Sequence, residues 1–264
     1  PRVRLRFPAF SGSAAMKKVV LFKAQSEDYT LAFSEHNYEA VFVEPLQFEA
    51  RNSEALAARL LRPEYAGLVL TSPRAVDALA ASWDPARFVL WNSKRVYTVG
   101  DATARKIKAS LGLDALGTSS GSAENLAKLI SQDNPKSSNF LFPCGNLSSE
   151  ILPTILSEVD ISVDALTVYE TKENLNLRRD LIELDTQHKP CCLVFFSPSG
   201  CEYVHRQLQT FSNNLSSLPR FAIGNSTAHK IVNLGLEIAG VASKPRSDCL
   251  IESVQKYFTE DGCG

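Results

Sequence analysis

The chain has 264 residues, 44% of them hydrophobic and 22% charged, a composition typical of a globular protein built around hydrophobic cores. It carries 28 Lys and Arg against 29 Asp and Glu, and the net charge of −1 argues against nucleic acid as a partner, because a broad nucleic-acid surface needs a basic excess. No apolar run approaches the roughly 18 residues that span a bilayer, so we expect no membrane partner either.

The chain opens with a segment that differs from the rest in composition. Residues 1–15, PRVRLRFPAFSGSAA, contain Arg and Ser but no acidic residue. Part of an organelle-targeting peptide has this composition, and so does a disordered leader or a cloning remnant. We interpret the segment as a leader or tag and expect the fold to start at Met16. A cytoplasmic location is predicted, with organelle targeting left open by the leader.

Short apolar runs alternate with segments of helical periodicity along the rest of the chain. The predicted strands are residues 19–22, 40–43, 67–70, 95–99, 139–142, 165–169, 192–196, 220–223 and 237–241. The predicted helices include residues 53–61, 75–81, 103–111, 123–130, 148–157, 200–208, 228–234 and 249–258. This alternation predicts an α/β protein whose parallel sheets are covered on both faces.

The second half of the chain repeats the first half. The paired segments are VVLFKA (19–24) with NFLFPCG (139–145), VFVEPLQFE (41–49) with DALTVYET (164–171), LTSPRAV (70–76) with FSPSGCEYV (196–204), VGDATA (99–104) with IGNSTA (223–228), and SAENLAKLI (122–130) with SDCLIESV (247–254). Since the pairs keep their order, the sequence predicts two copies of one α/β unit, at about residues 16–132 and 133–258.

Two kinds of turn recur at the predicted strand ends. Ser72 and Ser197 each precede a proline at the start of a helix, which is the pattern of an N-cap. Gly100 and Gly224 each follow a strand, where glycine permits tight backbone geometry. The polar side chains that can cap the next helix or contact a ligand are those of Asp101, Thr103, Asn225 and Thr227.

These turns have a structural and a functional interpretation. Helix caps alone explain them, but the carboxyl ends of parallel strands are also where open α/β sheets bind ligands, and helix N-termini there bind anions. The residues alone leave both interpretations open. Neither GxGxxG nor GxxxxGK[ST] is present, so the turns do not indicate a dinucleotide or a nucleoside triphosphate.

A third turn, FPCGN at 142–146, ends another predicted strand. Gly145 and Asn146 can offer backbone and amide donors to a ligand there. Cys144 is a candidate nucleophile, but no His lies near it in the sequence, and we favour a buried structural cysteine. The six cysteines form no CxxC pair and no zinc-ligand spacing with the four histidines, which favours reduced cytosolic thiols and no metal site.

In their order and spacing, several segments resemble the uroporphyrinogen III synthases, and the animal branch of that family most. The segments are VVLFKAQSED, GLVLTSPRAV, VYTVGDATA, LFPCGNLSSEILP, LTVYET, FFSPSG and IGNSTA, and the resemblance covers nearly the whole chain from Met16. It implies two flavodoxin-like α/β domains joined by a two-stranded linker, with the active site in the cleft between them. On this sequence, domain one would combine residues 16–44 and 172–264, domain two would be residues 48–168, and the linker strands would be residues 44–48 and 169–172.

The resemblance also implies a reaction. It is that of a lyase of haem biosynthesis, which cyclises the linear tetrapyrrole hydroxymethylbilane with loss of water and inversion of the terminal ring, giving uroporphyrinogen III. No cofactor is implied. The substrate carries several carboxylates and reacts through cationic intermediates, so the protein has to supply shape and hydrogen-bond donors. We expect a monomer and a possible hand-over of substrate from hydroxymethylbilane synthase.

The family's functional positions can be carried over to this chain residue by residue. Tyr169 corresponds to the tyrosine proposed to assist departure of the hydroxyl group, and a phenol carries its proton at neutral pH. A half-buried strand tyrosine is the alternative interpretation. The resemblance implies substrate binding by hydroxyls, backbone N–H groups and two cations, at Lys23, Ser72, Arg74, Gly100, Asp101, Ala102, Thr103, Gly145, Asn146, Ser197, Gly200, Gly224, Asn225, Ser226 and Thr227.

Two other classes of function remain open from the sequence. One is a two-lobed α/β protein that binds an anionic small molecule without reacting with it. Such a protein usually has a secretion signal, and the leader is ambiguous on this point. The other is a flavodoxin-like redox or regulatory protein, which a flavin absorbance band would reveal.

Overall fold

The structure is a computed structural model that describes residues 16–260, without the side chain of Glu260; the predicted leader at residues 1–15 lies outside the described residues. The described chain divides into two compact units. Unit 1 consists of residues 16–47 and 173–260, and unit 2 of residues 48–172. The unit boundaries therefore fall within strands β3 and β7, whose bounds are given next.

The strands are β1 (Lys17–Phe22), β2 (Tyr38–Phe42), β3 (Leu46–Ala50), β4 (Gly67–Val69), β5 (Arg95–Tyr97), β6 (Asn139–Gly145), β7 (Ser162–Glu173), β8 (Cys192–Phe195), β9 (Arg220–Ala222) and β10 (Gly240–Val241). The α-helices are α1 (Glu27–Glu35), α2 (Ser53–Leu60), α3 (Pro73–Ala80), α4 (Asp101–Leu111), α5 (Ala123–Asp133), α6 (Ile151–Ser157), α7 (Leu177–Gln187), α8 (Pro198–Leu208), α9 (Asn225–Asn233) and α10 (Ser247–Glu260). Short 3-10 helices cover Val89–Ser93 and Leu215–Ser217. Within residues 16–260, no helix is both long and apolar enough to cross a membrane.

Unit 1 is built on a parallel sheet with the strand order β10-β9-β8-β1-β2. Its central pair joins distant parts of the chain, since Val19 of β1 lies in register with Cys192 of β8. Successive residues of β1 point to opposite faces, as the pleat of a strand requires. Val19 packs in a cluster with residues of α1 and α10, whereas Val20 packs in a cluster with residues of α7, α8 and α9.

Unit 2 is built on a sheet with the strand order β3-β7-β6-β4-β5, in which β4, β5, β6 and β7 pair in parallel. One face packs on α2, α3 and α4 around the fully buried Trp91, whose indole N–H donates to the carbonyl of Leu60 over 2.9 Å. The other face packs on α5 and α6 around Phe140 and Ile130. The predicted α/β fold with parallel sheets covered on both faces is therefore confirmed.

Several elements differ from the periodicity-based prediction. The strand predicted at 165–169 is the centre of the longer β7, and the strand predicted at 237–241 shrinks to Gly240–Val241. Helices α1 and α7 were not among the predicted elements, and strand β3 overlaps the linker strand at 44–48, which the resemblance implied and the periodicity did not predict. In α1 only Phe33 is buried, and β3 has no buried residue, so their apolar patterns are weak.

Candidate active site

Tyr169 lies where an irregularity shifts the register of unit 2's sheet. Cys144 of β6 pairs with Thr167 of β7, but the next residue, Gly145, pairs with Tyr169. Val168 is therefore an extra residue on β7, which is the signature of a β-bulge. The bulge sets Tyr169 directly against the carboxyl end of β6. Bulges next to functional sites often change the direction of a side chain.

The ring of Tyr169 packs directly against the backbone of Gly145. A Cβ built at Gly145 would lie 2.5 Å from the Cζ atom and 2.7 Å from the hydroxyl oxygen of Tyr169. Such distances are far below van der Waals contact, so any other residue would displace the ring. Sequence analysis predicted Gly145 as a donor to a ligand; in the structure its most evident role is to make room for Tyr169.

Ser72 connects the start of α3 to the same hydroxyl group. Its Oγ accepts a hydrogen bond from the backbone N–H of Arg74 at 3.2 Å, so it caps α3, with Pro73 at the first helical position. The same Oγ lies 3.1 Å from the hydroxyl oxygen of Tyr169. The predicted N-cap and the predicted tyrosine are thus joined by one hydrogen bond.

Phe48 packs beside Tyr169 and was not among the predicted site residues. Its ring centroid lies 6.4 Å from that of Tyr169, with the ring planes tilted by 57°. The guanidinium carbon of Arg74 lies 3.1 Å from the centroid of Phe48, a cation–π contact. Phe48 therefore bridges a phenol and a cation. It is 36% exposed, and no motif in β3 distinguishes it from an ordinary strand residue.

Asn146 continues the pairing of β6 with β7. Its backbone N–H donates to the carbonyl of Tyr169 at 3.1 Å, and its side-chain Oδ1 accepts from the N–H of Thr171 at 2.8 Å. The side-chain amide predicted to face a ligand is thus engaged with the neighbouring strand. By these bonds Asn146 fixes the backbone on the far side of the bulge.

The Gly100 turn leads into α4 without a side-chain cap. Gly100 has φ +83°, a conformation that favours glycine, and Asp101 and Ala102 after it are exposed. Thr103 is only 4% exposed and packs inward. Because the first N–H groups of a helix have no partner within the helix, this uncapped end offers donors to an anion.

The matching turn in unit 1 has a different backbone. Gly224 has φ −179°, an extended conformation that any residue adopts, so the tight geometry expected at both glycines is present only at Gly100. Like α4, helix α9 has no side-chain cap, and Asn225 and Ser226 are exposed at its start. Thr227 is 2% exposed and packs inward, as Thr103 does.

Ser197 caps α8 in unit 1, as predicted, and its Oγ accepts from the N–H of Gly200 at 3.1 Å. A Cβ at Gly200 would lie 2.8 Å from this Oγ and 3.0 Å from the Cγ of Pro45. Gly200 is buried, so its evident role is close packing around the cap.

Lys23 follows β1 in unit 1 and lies against two aromatic rings. Its Nζ is 3.9 Å from the centroid of Tyr29 and 5.0 Å from that of Phe196. Burial lowers the pKa of Lys23, and the charge of Asp28 acts in the opposite direction. Both predicted cations, Lys23 and Arg74, are therefore held over aromatic rings.

Cys144 has the environment of a structural cysteine. It is buried, and its Sγ lies 3.7 Å from the carbonyl oxygen of Leu166. Burial raises the pKa of the Cys144 thiol, which disfavours the thiolate that a nucleophile requires. In the described part of the chain, no group of three or more His, Cys, Asp and Glu side chains could hold a metal ion.

Four charged side chains beside the site neutralise one another. Arg51 donates to Glu49 and to Glu170, at 2.9 Å each, and Lys172 donates to Glu49 at 2.6 Å. The hydrogen bond from Lys172 and then that from Arg51 lower the pKa of Glu170, so this carboxyl group is ionised at neutral pH. Glu170 is consequently a poor proton donor, which leaves Tyr169 and Ser72 as the hydroxyl donors of this cluster.

Comparison with known proteins identifies the family of the chain. The sequence model of the family described as "Uroporphyrinogen-III synthase HemD" matches residues 27–252. The chain is 28% identical over 211 residues to the uroporphyrinogen-III synthase of Saccharomyces cerevisiae, covering 72% of this chain and 75% of the yeast protein. It is 27% identical over 181 residues to that of Chlorobaculum parvum, covering 66% of this chain and 72% of the bacterial protein.

Solved structures show the same fold. A mutant uroporphyrinogen III synthase from the bacterium Thermus thermophilus aligns with a TM-score of 0.60 at 15% identity, covering 92% of this chain and 99% of the other. The uroporphyrinogen-III synthetase from Helicobacter pylori aligns with a TM-score of 0.63 at 19% identity, covering 91% and 99%. Since the segment matched by the family runs from α1 into α10 and contains Ser72, Tyr169 and both glycine turns, the chain belongs to the uroporphyrinogen-III synthase family.

Proposed function

We propose that this protein is a uroporphyrinogen III synthase, a lyase that cyclises hydroxymethylbilane with loss of water and inversion of the terminal pyrrole ring. Membership of the family supports the activity. The observation that carries the mechanism is the hydrogen bond between Ser72 and Tyr169 at the strand ends of unit 2. The likeness to the animal branch stays a prediction.

In this mechanism Tyr169 protonates the departing hydroxyl group. Ser72 Oγ accepts a hydrogen bond from the N–H of Arg74, and the O–H group of Ser72 can donate a hydrogen bond to the hydroxyl oxygen of Tyr169. The proton of Tyr169 is then directed at the substrate. The carbon–oxygen bond breaks, water leaves, and an azafulvene cation remains. The proton lost later from the closing ring restores the phenol, so protons balance over the cycle.

The substrate's carboxylates are bound by the uncapped helix ends. In unit 2 these are the first N–H groups of α4, at Asp101 and Ala102, since the N–H of Gly100 donates to the carbonyl of Thr118 at 3.1 Å. In unit 1 they are the first N–H groups of α9, at residues 224–226. The partial positive charge of a helix N-terminus favours anions at such positions. Lys23 and Arg74 add full positive charges, while Thr103 and Thr227 hold the turns from inside.

Much of the rate enhancement then comes from geometry. Holding both ends of a flexible chain in a reactive arrangement can contribute about 7–11 kcal/mol in well-oriented systems. Selection of the inverted product follows if the bound shape favours attack through the already substituted carbon of the terminal ring. Many weak donors share this task, so the loss of one of them is expected to reduce activity without abolishing it.

The test is incubation with enzymatically made hydroxymethylbilane, followed by oxidation and separation of the uroporphyrin isomers. We expect isomer III, formed faster than the spontaneous isomer I. Isomer I alone, with substrate bound, would instead identify a non-catalytic binding protein. A flavin absorbance band in the purified protein would point to a redox protein of flavodoxin type.

We further propose that the protein acts as a monomer in the cytoplasm and takes its substrate from hydroxymethylbilane synthase. Sedimentation velocity across a range of concentrations tests the oligomeric state. In a coupled assay, direct hand-over predicts that an inactive variant of this protein in excess competes with the active one.

A further inference from the structure

A cavity of about 230 Å³ lies in unit 1, on the face of the sheet that packs against α8 and α9. It is bordered by the last turns of α8, by the start of β9 at Arg220 and by Leu236 after α9. Helix α8 has 11 residues and is therefore roughly 16 Å long. Ser197 caps the opposite end of α8 from His205 and Gln209, whereas Phe195, the last residue of β8, brings the apolar wall of the cavity to within two residues of Ser197.

Most of the cavity wall is apolar. Phe195, Val204 and Leu208 are buried and form its interior, and the half-buried Leu236 lies at its rim. An apolar cavity of about 150 Å³ accommodates benzene in a well-studied protein, so this larger cavity has room for a six-membered ring with one small polar group. It is too small for a tetrapyrrole.

One end of the cavity carries a positive charge. Arg220 is half-buried and donates to the carbonyl of Ser216. Within residues 16–260, no carboxylate lies within the 4.0 Å of an ion pair with its guanidinium group, and Glu237 acts on it only from farther away. A guanidinium group has five N–H donors, so Arg220 retains donors for a bidentate partner.

Two more polar side chains border Arg220. The Nε2 of His205 lies 3.1 Å from the amide nitrogen of Gln209, and both residues line the cavity. Burial and then the positive charge of Arg220 lower the pKa of His205, which agrees with the two side chains lying close together. Helix α8 ends here, and its carbonyl end carries about half a negative charge, which the full charge of Arg220 outweighs.

We propose that this cavity binds a small monocarboxylate with an aromatic or branched apolar body. The body lies against Phe195, Val204 and Leu208, and the carboxylate accepts hydrogen bonds from Arg220. His205 and Gln209 border the charged end of the ligand. None of the residues that line the cavity is among the proposed substrate-binding residues, so its ligand is expected to stabilise unit 1 without blocking turnover.

Benzoate is the probe, titrated into the full chain and followed by the NMR signals of the His205 ring and by thermal unfolding. Benzamide has the same shape without the charge, and acetate has the charge without the ring. We expect benzoate to shift the His205 signals and raise the unfolding temperature. Benzamide should bind at least about tenfold more weakly because it lacks the charged hydrogen bond, and acetate at least about tenfold more weakly because it buries no ring. Equal binding of benzamide would rule out a carboxylate site.

Variants locate the binding. Arg220→Gln removes the charge, and Leu236→Trp fills the cavity from its rim while leaving Arg220 in place. Each is expected to weaken benzoate binding about tenfold or more. Arg179→Gln, a change of an exposed arginine on α7, is the matched control and should bind benzoate as the parent does. Unchanged binding in Leu236→Trp overturns the proposal even if Arg220→Gln does not fold.

Discussion

The side chain of Tyr169 is held from three sides by residues that are far from it in the sequence. Ser72 bonds its hydroxyl, Gly145 lies beneath its ring, and Phe48 borders it. Each contact restricts one degree of freedom of the phenol: the direction of its O–H, the height of its ring and the sideways position of its ring. Holding a proton donor in its reactive orientation lowers the activation barrier, because less conformational entropy is lost in each turnover.

Tyr169→Phe tests the role of that proton. The ring keeps its contacts with Gly145 and Phe48, so we expect binding to persist and kcat to fall about 100-fold, the lower end of what a general acid contributes. Steady-state kinetics measure this. The matched control is Tyr97→Phe, which removes a hydroxyl bonded to Asn134 in the same unit. Equal kcat for Tyr169→Phe and the parent would remove Tyr169 from the mechanism.

Ser72→Ala separates capping from catalysis. It removes the N-cap of α3 and the partner of Tyr169, so we expect a loss of about 1 kcal/mol in stability and a fall of about tenfold in kcat. Ser122→Ala is the control, because Ser122 caps α5 through Asn125 at 3.3 Å and has no contact with Tyr169. It should lose similar stability and keep full activity. A parallel drop in kcat for both variants would mean that only capping matters.

Residues at the site differ in how well the sequence predicts them. Ser72 and Tyr169 were predicted, one from its Ser-Pro pattern and one by resemblance, but their hydrogen bond was not, because it depends on how β4 and β7 are spaced across the sheet. The bulge at Val168 has no local signal, since an extra residue exists only relative to a partner strand. Phe48 was missed because its role comes from Arg74 and Tyr169, which lie elsewhere in the chain.

At the scale of elements, the two glycine turns look alike in sequence and differ in backbone. A Cβ meets nothing within 4 Å at either Gly100 or Gly224, so only the backbone conformation distinguishes them. Gly100→Ala places a side chain at φ +83° and is expected to cost about 1–2 kcal/mol. Gly224→Ala, in extended backbone, is expected to be close to neutral.

Urea unfolding of both alanine variants measures the difference in free energy. The two changes are the same in chemistry, and both glycines are half-buried, so each is the control for the other. Equal destabilisation would show that the left-handed conformation of Gly100 is not what the α4 turn requires.

Hydrogen bonds to the half-buried Asp164 join α2 to β7 in unit 2. Asp164 accepts from Arg59 at 2.8 Å and from the hydroxyl of Tyr65. Burial acts to raise the pKa of Asp164, but the hydrogen bonds from Tyr65 and Arg59 prevail, and the pKa lies below its ordinary value of 3.8. A lowered folded-state pKa contributes stability above the unfolded value, and that contribution is lost as the pH falls through the folded value.

Asp164→Asn is therefore expected to destabilise the protein by about 1–2 kcal/mol at neutral pH and to lose less stability than the parent as the pH falls below about 4. Urea unfolding at a series of pH values measures both effects. Asp114→Asn, at an exposed carboxylate paired with Lys108, is the control and should change little at any pH. A parent and a variant with the same pH slope would show that Asp164 keeps an ordinary pKa.

Elements that bury residues on both faces were the easiest to predict. All four residues of β8 are at most 2% exposed, and the predicted strand at 192–196 differs from it by one residue. Helix α1 and strand β3 lack that signal, since α1 buries only Phe33 and β3 lies at the edge of its sheet. Their formation depends on neighbours that periodicity does not show.

At the scale of the whole molecule, unit 2 is one continuous segment inserted into unit 1. Residues 48–172 contain a sheet with its own two-sided core, whereas unit 1 needs both ends of the chain. Without residues 16–47, strand β8 loses its partner β1, and the cluster around Val194 loses Val19, Leu21 and Phe33.

Expressed alone, residues 48–172 are expected to fold and to unfold cooperatively in urea, and residues 173–260 are expected not to fold. Circular dichroism and urea titration distinguish these outcomes. The control joins residue 47 to residue 173 through a short glycine linker, which is feasible because the N–H of Asn174 donates to the carbonyl of Pro45 at 3.0 Å. That fusion should fold. A folded 173–260 fragment would contradict the dependence of β8 on β1.

The register between Val19 and Cys192 also bears on the order of events at the ribosome. Strand β1 leaves the exit tunnel before β8, and β8, which pairs with it, is translated only after the whole inserted segment has emerged. During that interval Val19, Val20 and Leu21 have no sheet to enter, while the insert can already be complete. Slowed translation or scarce chaperones should therefore expose strand β1 to aggregation before they affect residues 48–172.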